Sequence, residues 1–118
     1  MLRHLYTLLL VACSAFAADV TGTWQVTVET SQGTGNPIVV LKQQGETLSG
    51  TFNSQILGEA KLTGTVKGDA IEFHFEGDAG GQAIKVSYTG TIQGPTAMKG
   101  KAVYEGYDNN ATWSAVKK

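Results

Sequence analysis

Cysteine, arginine and proline are nearly absent from this chain. The one cysteine is Cys13, the one arginine is Arg3, and the two prolines, Pro37 and Pro95, lie far apart. A single cysteine excludes an intrachain disulfide, so stability rests on a buried core. Eight lysines against ten carboxylates beyond the first residues give a net charge of about −2 and no basic face of the kind a nucleic-acid partner requires. G-x-S-x-G, H-E-x-x-H, C-x-x-C and the phosphate-binding loop are also missing. Beyond His4 the sole imidazole is His74, too few for a triad beside an activated nucleophile or for the usual zinc sphere. These absences argue for a protein that is not an enzyme and needs no cofactor.

Long apolar runs are scarce too. Residues 1–17 read as a secretory leader: Arg3 supplies the positive start, Leu5 to Ala12 a short apolar run, and Ala15-Phe16-Ala17 a cleavage site. The run is too short to span a bilayer, which takes about 20 residues. Leu10-Val11-Ala12-Cys13 also resembles a lipobox, which would make Cys13 a lipid anchor. The expectation is therefore a secreted or periplasmic protein, with a membrane-tethered lipoprotein as the alternative. Residues 18–118 then form one domain.

What the chain has in abundance is glycine in a fixed setting. Leu62-Thr63-Gly64-Thr65-Val66 is matched by Val20-Thr21-Gly22-Thr23-Trp24, Leu48-Ser49-Gly50-Thr51-Phe52, Tyr88-Thr89-Gly90-Thr91-Ile92 and Met98-Lys99-Gly100-Lys101-Ala102. On a strand, the apolar residues and the glycine of each copy share one face. Glycine weakens a strand interior, so its repetition on the buried face implies tight bending or room for a neighbouring ring.

Alternation predicts eight strands, over 21–30, 37–43, 47–54, 59–67, 70–76, 83–93, 97–105 and 111–116. Inward positions include Trp24, Val39, Leu41, Phe52, Leu62, Phe73, Phe75, Val86, Tyr88, Tyr104 and Trp113. The turn Gly68-Asp69 sets Val66 against Ile71, Gly64 against Phe73 and Leu62 against Phe75. A loop over 78–81 sets Phe73 against Val86 and His74 against Lys85, and a turn at Gly94-Pro95 sets Gly90 against Gly100. Hairpin spacing throughout makes the fold an all-β, eight-stranded antiparallel up-and-down barrel. Short connections at Gln44-Gly45, Gly68-Asp69 and Gly94-Pro95 share one end; longer ones at 31–36, 55–58, 78–81 and 106–110 share the other.

Gly22-Thr23-Trp24, the eight-strand meander and Ala111-Thr112-Trp113-Ser114-Ala115 resemble the calycin group of barrels: lipocalins, fatty-acid-binding proteins and avidins. The resemblance covers nearly all of the chain beyond the leader and implies the barrel fold, with very little chemistry. Lipocalins place an arginine near the last strand over the first tryptophan; here Lys117 or Lys118 is the substitute. The opening strands are similar to those of streptavidin-like proteins, but the polar groups and further tryptophans of a biotin site have no counterparts on the inward face. Calycin-type protease inhibitors share the early G-x-W and carry a disulfide that this chain lacks. Small exported bacterial barrels are the nearest likeness.

Candidate ligand-binding residues follow from the inward face: Trp24, Phe52, Phe73, Tyr88, Tyr104 and Trp113 as barrel lining, with Tyr107, Asp108, Asn109 and Asn110 as a rim. The aromatics wall an apolar pocket for a small hydrophobic ligand, or they fill the barrel and leave the outer face or rim to an extracellular protein partner; a third reading is a calycin-type inhibitor that blocks a protease cleft with its N-terminal tail or rim. Glu72, His74 and Glu76 share the opposite face of their strand. They stand about 7 Å apart along it, too far to chelate one ion, so no metal site is expected.

Overall fold

A computed structural model describes residues 19–55, 58–79, 81–105 and 110–118, and the expectations for the leader and for Cys13 lie outside these residues. The strands are β1 (Gly22–Thr30), β2 (Gly33–Gly35), β3 (Ile38–Gln44), β4 (Thr47–Ser54), β5 (Gly58–Lys67), β6 (Ala70–Ala79), β7 (Gln82–Ile92), β8 (Ala97–Tyr104) and β9 (Asn110–Lys117). Consecutive staves pair antiparallel, and β1 pairs with β9 to close the barrel. Among the described residues no helix is long and apolar enough to cross a membrane.

Eight staves result, because β2 and β3 are one strand interrupted. Thr30↔Gly33 and Val28↔Gly35 continue in the same register as Gln25↔Ile38 and Gly22↔Leu41. Between them the Val26 amide donates to the Pro37 carbonyl at 3.0 Å. Pro37 has no amide to return, which breaks the ladder locally. The loop expected over 31–36 is therefore a turn at Ser31-Gln32 followed by paired strand.

Alternation places the core. Trp24, Leu48, Val86 and Tyr88 are 0 % exposed, while Val40, between inward Val39 and Leu41, is 40 % exposed. Three short turns do share one end, although β3 and β4 turn at Gly45-Glu46 rather than Gln44-Gly45, with Gln44 paired to Thr47. The β5–β6 register is as expected, with Leu62↔Phe75, Gly64↔Phe73 and Val66↔Ile71, and so is Gly90↔Gly100 between β7 and β8. The β6–β7 register differs: Phe73 faces Tyr88, His74 faces Ser87, and Lys85 faces Glu76. The ladder runs on to Ala79↔Gln82, so the connection shortens to Gly80-Gly81 and another pair enters the sheet. A two-residue slip leaves every side chain on its own face, and alternation alone does not distinguish the two registers.

The short-turn end is sealed by chain preceding β1. Val20 is 1 % exposed. Its amide donates to Gln43 Oε1 at 3.0 Å, and its carbonyl accepts from Trp24 Nε1 at 2.9 Å. Asp19 caps this hook by accepting from the Thr21 amide at 3.0 Å, a bond that lowers its carboxyl pKa, with the Thr21 side chain and, more weakly, Lys117 acting in the same direction. Lys117 pairs in register with Trp24 and holds its ammonium 6.0 Å from the Trp24 ring centroid.

Close approach explains the inward glycines. A Cβ on Gly64 would strike the Glu72 carbonyl oxygen and come within 2.6 Å of Phe73 Cα; one on Gly100 would strike the Thr89 carbonyl oxygen and Gly90 Cα. On Gly90 it would meet Trp113 Cζ2 at 2.8 Å. The Trp113 indole lies over this glycine pair and donates to the carbonyls of Lys101 at 3.1 Å and Thr89 at 3.2 Å. Gly64→Val is therefore expected to cost at least about 2 kcal/mol and to lower the Tm by roughly 10 °C or more. The outward neighbour change Thr63→Val should leave the melting curve close to that of the parent chain, and paired thermal melts check both.

Candidate functional site

Five inward rings form one connected cluster. Phe52 stacks on Phe75 at 4.1 Å between centroids, and Phe73 stacks on Tyr88 at 5.0 Å. Tyr88 also touches Trp113 at 5.4 Å, Phe52 at 5.6 Å and Phe75 at 6.0 Å, which puts it at the centre. Offset and edge contacts of this kind are worth about 0.5–1.5 kcal/mol each beyond area burial. Four of the expected lining residues, Phe52, Phe73, Tyr88 and Trp113, thus come together, and Phe75 joins them although it was placed only in the core.

Trp24 and Tyr104 lie apart from the cluster. Trp24 is at the sealed end, its indole committed to the Val20 carbonyl. Tyr104 packs against the core half-buried on the other side, where β7 and β8 pair Val86 with Tyr104. Of the rim, Tyr107, Asp108 and Asn109 lie outside the described residues. Asn110 is not a loop residue: its backbone opens β9 and pairs with Val103.

The two ends of the interior differ in side-chain size. Toward the longer connections the inward positions are Val28, Ala60, Gly77, Ile84, Tyr104 and Ala111. Ala60 and Ile84 are 9 % exposed there, and Tyr104 is only half-buried. Three of these, Ala60, Gly77 and Ala111, are small.

One polar atom in this interior is unsatisfied. Among the described residues the Tyr88 hydroxyl is the single buried side-chain polar atom without a hydrogen-bond partner. Burial pushes its pKa far above the ordinary value of 10.0, and the neighbouring Tyr104 phenol raises it further by its charge and by a hydroxyl–hydroxyl contact at the margin of a hydrogen bond. The hydroxyl therefore stays neutral and desolvated, a group that can donate to or accept from whatever is placed against it.

On the opposite surface, Glu72, His74 and Glu76 project outward and are exposed. His74 Nε2 lies 3.2 Å from Thr63 Oγ1, and its cross-strand neighbour on the other side is Ser87. No group of three or more potential metal-ligating side chains gathers among the described residues. Cross-strand polar pairing accounts for this row.

No protein-family model matches the sequence, and no curated protein sequence does. Solved structures do. A redesigned β-barrel, b11L5F_LGL, superposes with a TM-score of 0.70 at 21 % identity, covering 84 % of this chain and 91 % of that one. The redesigned barrel mFAP1, bound to DFHBI, gives 0.64 at 22 % identity over 83 % of this chain and 94 % of its own. A third, mFAP0 bound to DFHBI, gives 0.57 at 23 % identity over 83 % and 98 %. At this identity the likeness is one of fold.

Two expectations follow from the site. Tyr88→Phe removes an unsatisfied buried hydroxyl and should stabilise the ligand-free protein by about 1 kcal/mol at neutral pH. The parent hydroxyl, with its pKa raised in the folded state, holds its contribution fully below pH 10 and loses it as pH rises past the unfolded phenol's value of 10.0, so the variant's advantage should grow in alkali. Chemical denaturation at neutral and alkaline pH measures both. His74→Ala, by contrast, removes an exposed group and should leave the Tm within the error of a melting experiment.

Proposed function

We propose that this chain is a non-catalytic, exported β-barrel that binds a small, largely apolar ligand at the end bearing its longer connections. The observation that carries this reading is the Tyr88 hydroxyl, buried and unpartnered above a floor of stacked rings. Buried polar groups in folded proteins are hydrogen-bonded, and an orphan calls for a partner that arrives from outside the chain. Small inward residues at Ala60, Gly77 and Ala111 provide the approach, and half-buried Tyr104 provides a second hydroxyl beside it. Pockets of this type are mostly apolar with a few placed polar groups. Barrels of the same fold, mFAP1 and mFAP0, are known bound to a small molecule, DFHBI, which supports the capacity of this architecture for such a ligand. Export rests on the leader-like residues 1–17, and the calycin likeness on the G-x-W start and the Lys117 contact.

The tight ring stacking favours a second reading, in which the barrel is a filled plug that associates through its outer face. An inhibitor that inserts its N-terminal segment into a protease cleft fits less well, since Val20 is tucked under the barrel at 1 % exposure rather than protruding.

Native mass spectrometry of protein purified from its own host separates these readings. A retained small molecule, lost in Tyr88→Phe although that variant is more stable, is the expected result. A bare polypeptide mass, together with no change in tryptophan fluorescence across a panel of apolar fluorophores, would mean a plug.

A further inference from the structure

A trench crosses the outside of the barrel from β7 to β1. Its floor is the cross-strand row Gly90, Gly100 and Trp113, whose only side chain turns inward, so the outer surface of that row is bare backbone. One wall is Thr91, Lys99, Ser114 and Thr27, successive cross-strand partners; the other is Lys101, Thr112 and Glu29. The groove between them is shallow and open to solvent, with a volume of about 450 Å³. Strand geometry sets the walls about 7 Å apart and repeats their side chains about every 4.8 Å along the trench.

The chemistry of the walls is specific. Lys99 and Lys101 rise from one strand on opposite sides of the floor, and among the described residues neither ammonium is ion-paired. Of the wall hydroxyls only that of Thr27 has a partner, Asn36 Oδ1 at 3.5 Å; those of Thr91, Thr112 and Ser114 make no hydrogen bond among the described residues. Glu29 stands two strands from Lys101, about 10 Å away, at the β1 end. It leaves the lysine pair unneutralised and offers an acceptor to a hydroxylated ligand.

We propose that this trench binds an anionic saccharide, a sugar chain carrying carboxylate or sulfate groups. Two ammoniums on facing walls receive its charges, free hydroxyls and Glu29 exchange hydrogen bonds with its ring hydroxyls, and the flat glycine floor accepts the apolar face of a pyranose. A lone inorganic anion is too small to span both lysines and fill the groove. A nucleic acid would need exposed aromatic platforms and a net basic face, and the buried Trp113 and the acidic balance of the chain supply neither. The site is on the outer wall and does not depend on what the interior holds.

The test is titration of the full chain with an oligogalacturonate, a sulfated disaccharide and a neutral malto-oligosaccharide, read by calorimetry and by Trp113 fluorescence. Binding of either or both anionic sugars, with the two arms telling carboxylate from sulfate, and none of the neutral one is expected. The double variant Lys99→Gln/Lys101→Gln should weaken it about tenfold or more with an unchanged Tm. Equal loss in Lys61→Gln/Lys85→Gln, which lie on another part of the outer face, would overturn the assignment. Equal affinity for the neutral sugar or for inorganic sulfate would do so as well, as would no binding of either anionic sugar.

Discussion

The contact on which the structure depends is the close approach of an inward glycine to the strand beside it, made to backbone at Gly64 and Gly100 and to the Trp113 ring at Gly90. Gly64 opposite Phe73, and the pair Gly90–Gly100 opposite Trp113, leave no room for a Cβ. Each lets a strand approach and bend where a substituted residue would hold it off, and a small barrel closes only if its sheet coils strongly. Phe73, seated on Gly64, is then positioned to stack on Tyr88, and Trp113, seated on Gly90, closes the cluster from the other side. Core and curvature are one arrangement seen from two directions. The outer trench is a third view of it, since the row that sends its ring inward is the row that leaves bare backbone outside.

The barrel is also polar in the sense of having unlike ends. At one, three tight turns gather with the Val20 hook, the Trp24 indole and the Lys117 ammonium, each holding the next. Backbone groups that would otherwise face the buried end of the core find partners there, as a sealed end requires. At the other, small residues and a half-buried tyrosine border the ring cluster. The two ends thus differ in what fills them, stacked rings toward one and smaller side chains toward the other.

Much of this was legible in the sequence, because the period of two is a strong signal and the pentads repeat it with glycine at fixed phase. The inward faces of all eight staves, the choice of Val39 and Leu41 over Val40, and the pairs Gly64–Phe73 and Gly90–Gly100 all follow from alternation and short turns. Register at 78–81 did not follow, since a slip of two residues preserves every face and only the ladder bonds of Ala79 and Gln82 decide it. The continuation of β3 into β2 was hidden by Pro37, a residue that reads as a strand start and here is an interruption. Of the candidate site, the ring cluster could be read and its hierarchy could not. That Trp24 is occupied by Val20 and Lys117, and that Tyr88 is central while Tyr104 is peripheral, depend on contacts between residues remote in the chain.

The centre of the cluster holds the least economical residue in the core. A phenylalanine at position 88 would stack on Phe73 and touch Trp113 as tyrosine does, without burying a hydroxyl that finds no partner. An unsatisfied group of this kind costs roughly 1–3 kcal/mol, a sizeable part of the 5–15 kcal/mol that typically holds a domain folded. Such an atom makes sense in a state of the protein where it is bonded. Tyr104 brings its hydroxyl to the same group, in a contact at the margin of a hydrogen bond that leaves Tyr88 short of a full partner. On the reading proposed above, the partner would come from the end bearing the longer connections, and the same step would draw on Tyr104 as well as Tyr88. The proposed ligand would then carry one polar group on an apolar body, the polar group meeting the two neighbouring phenols and the body meeting the ring cluster.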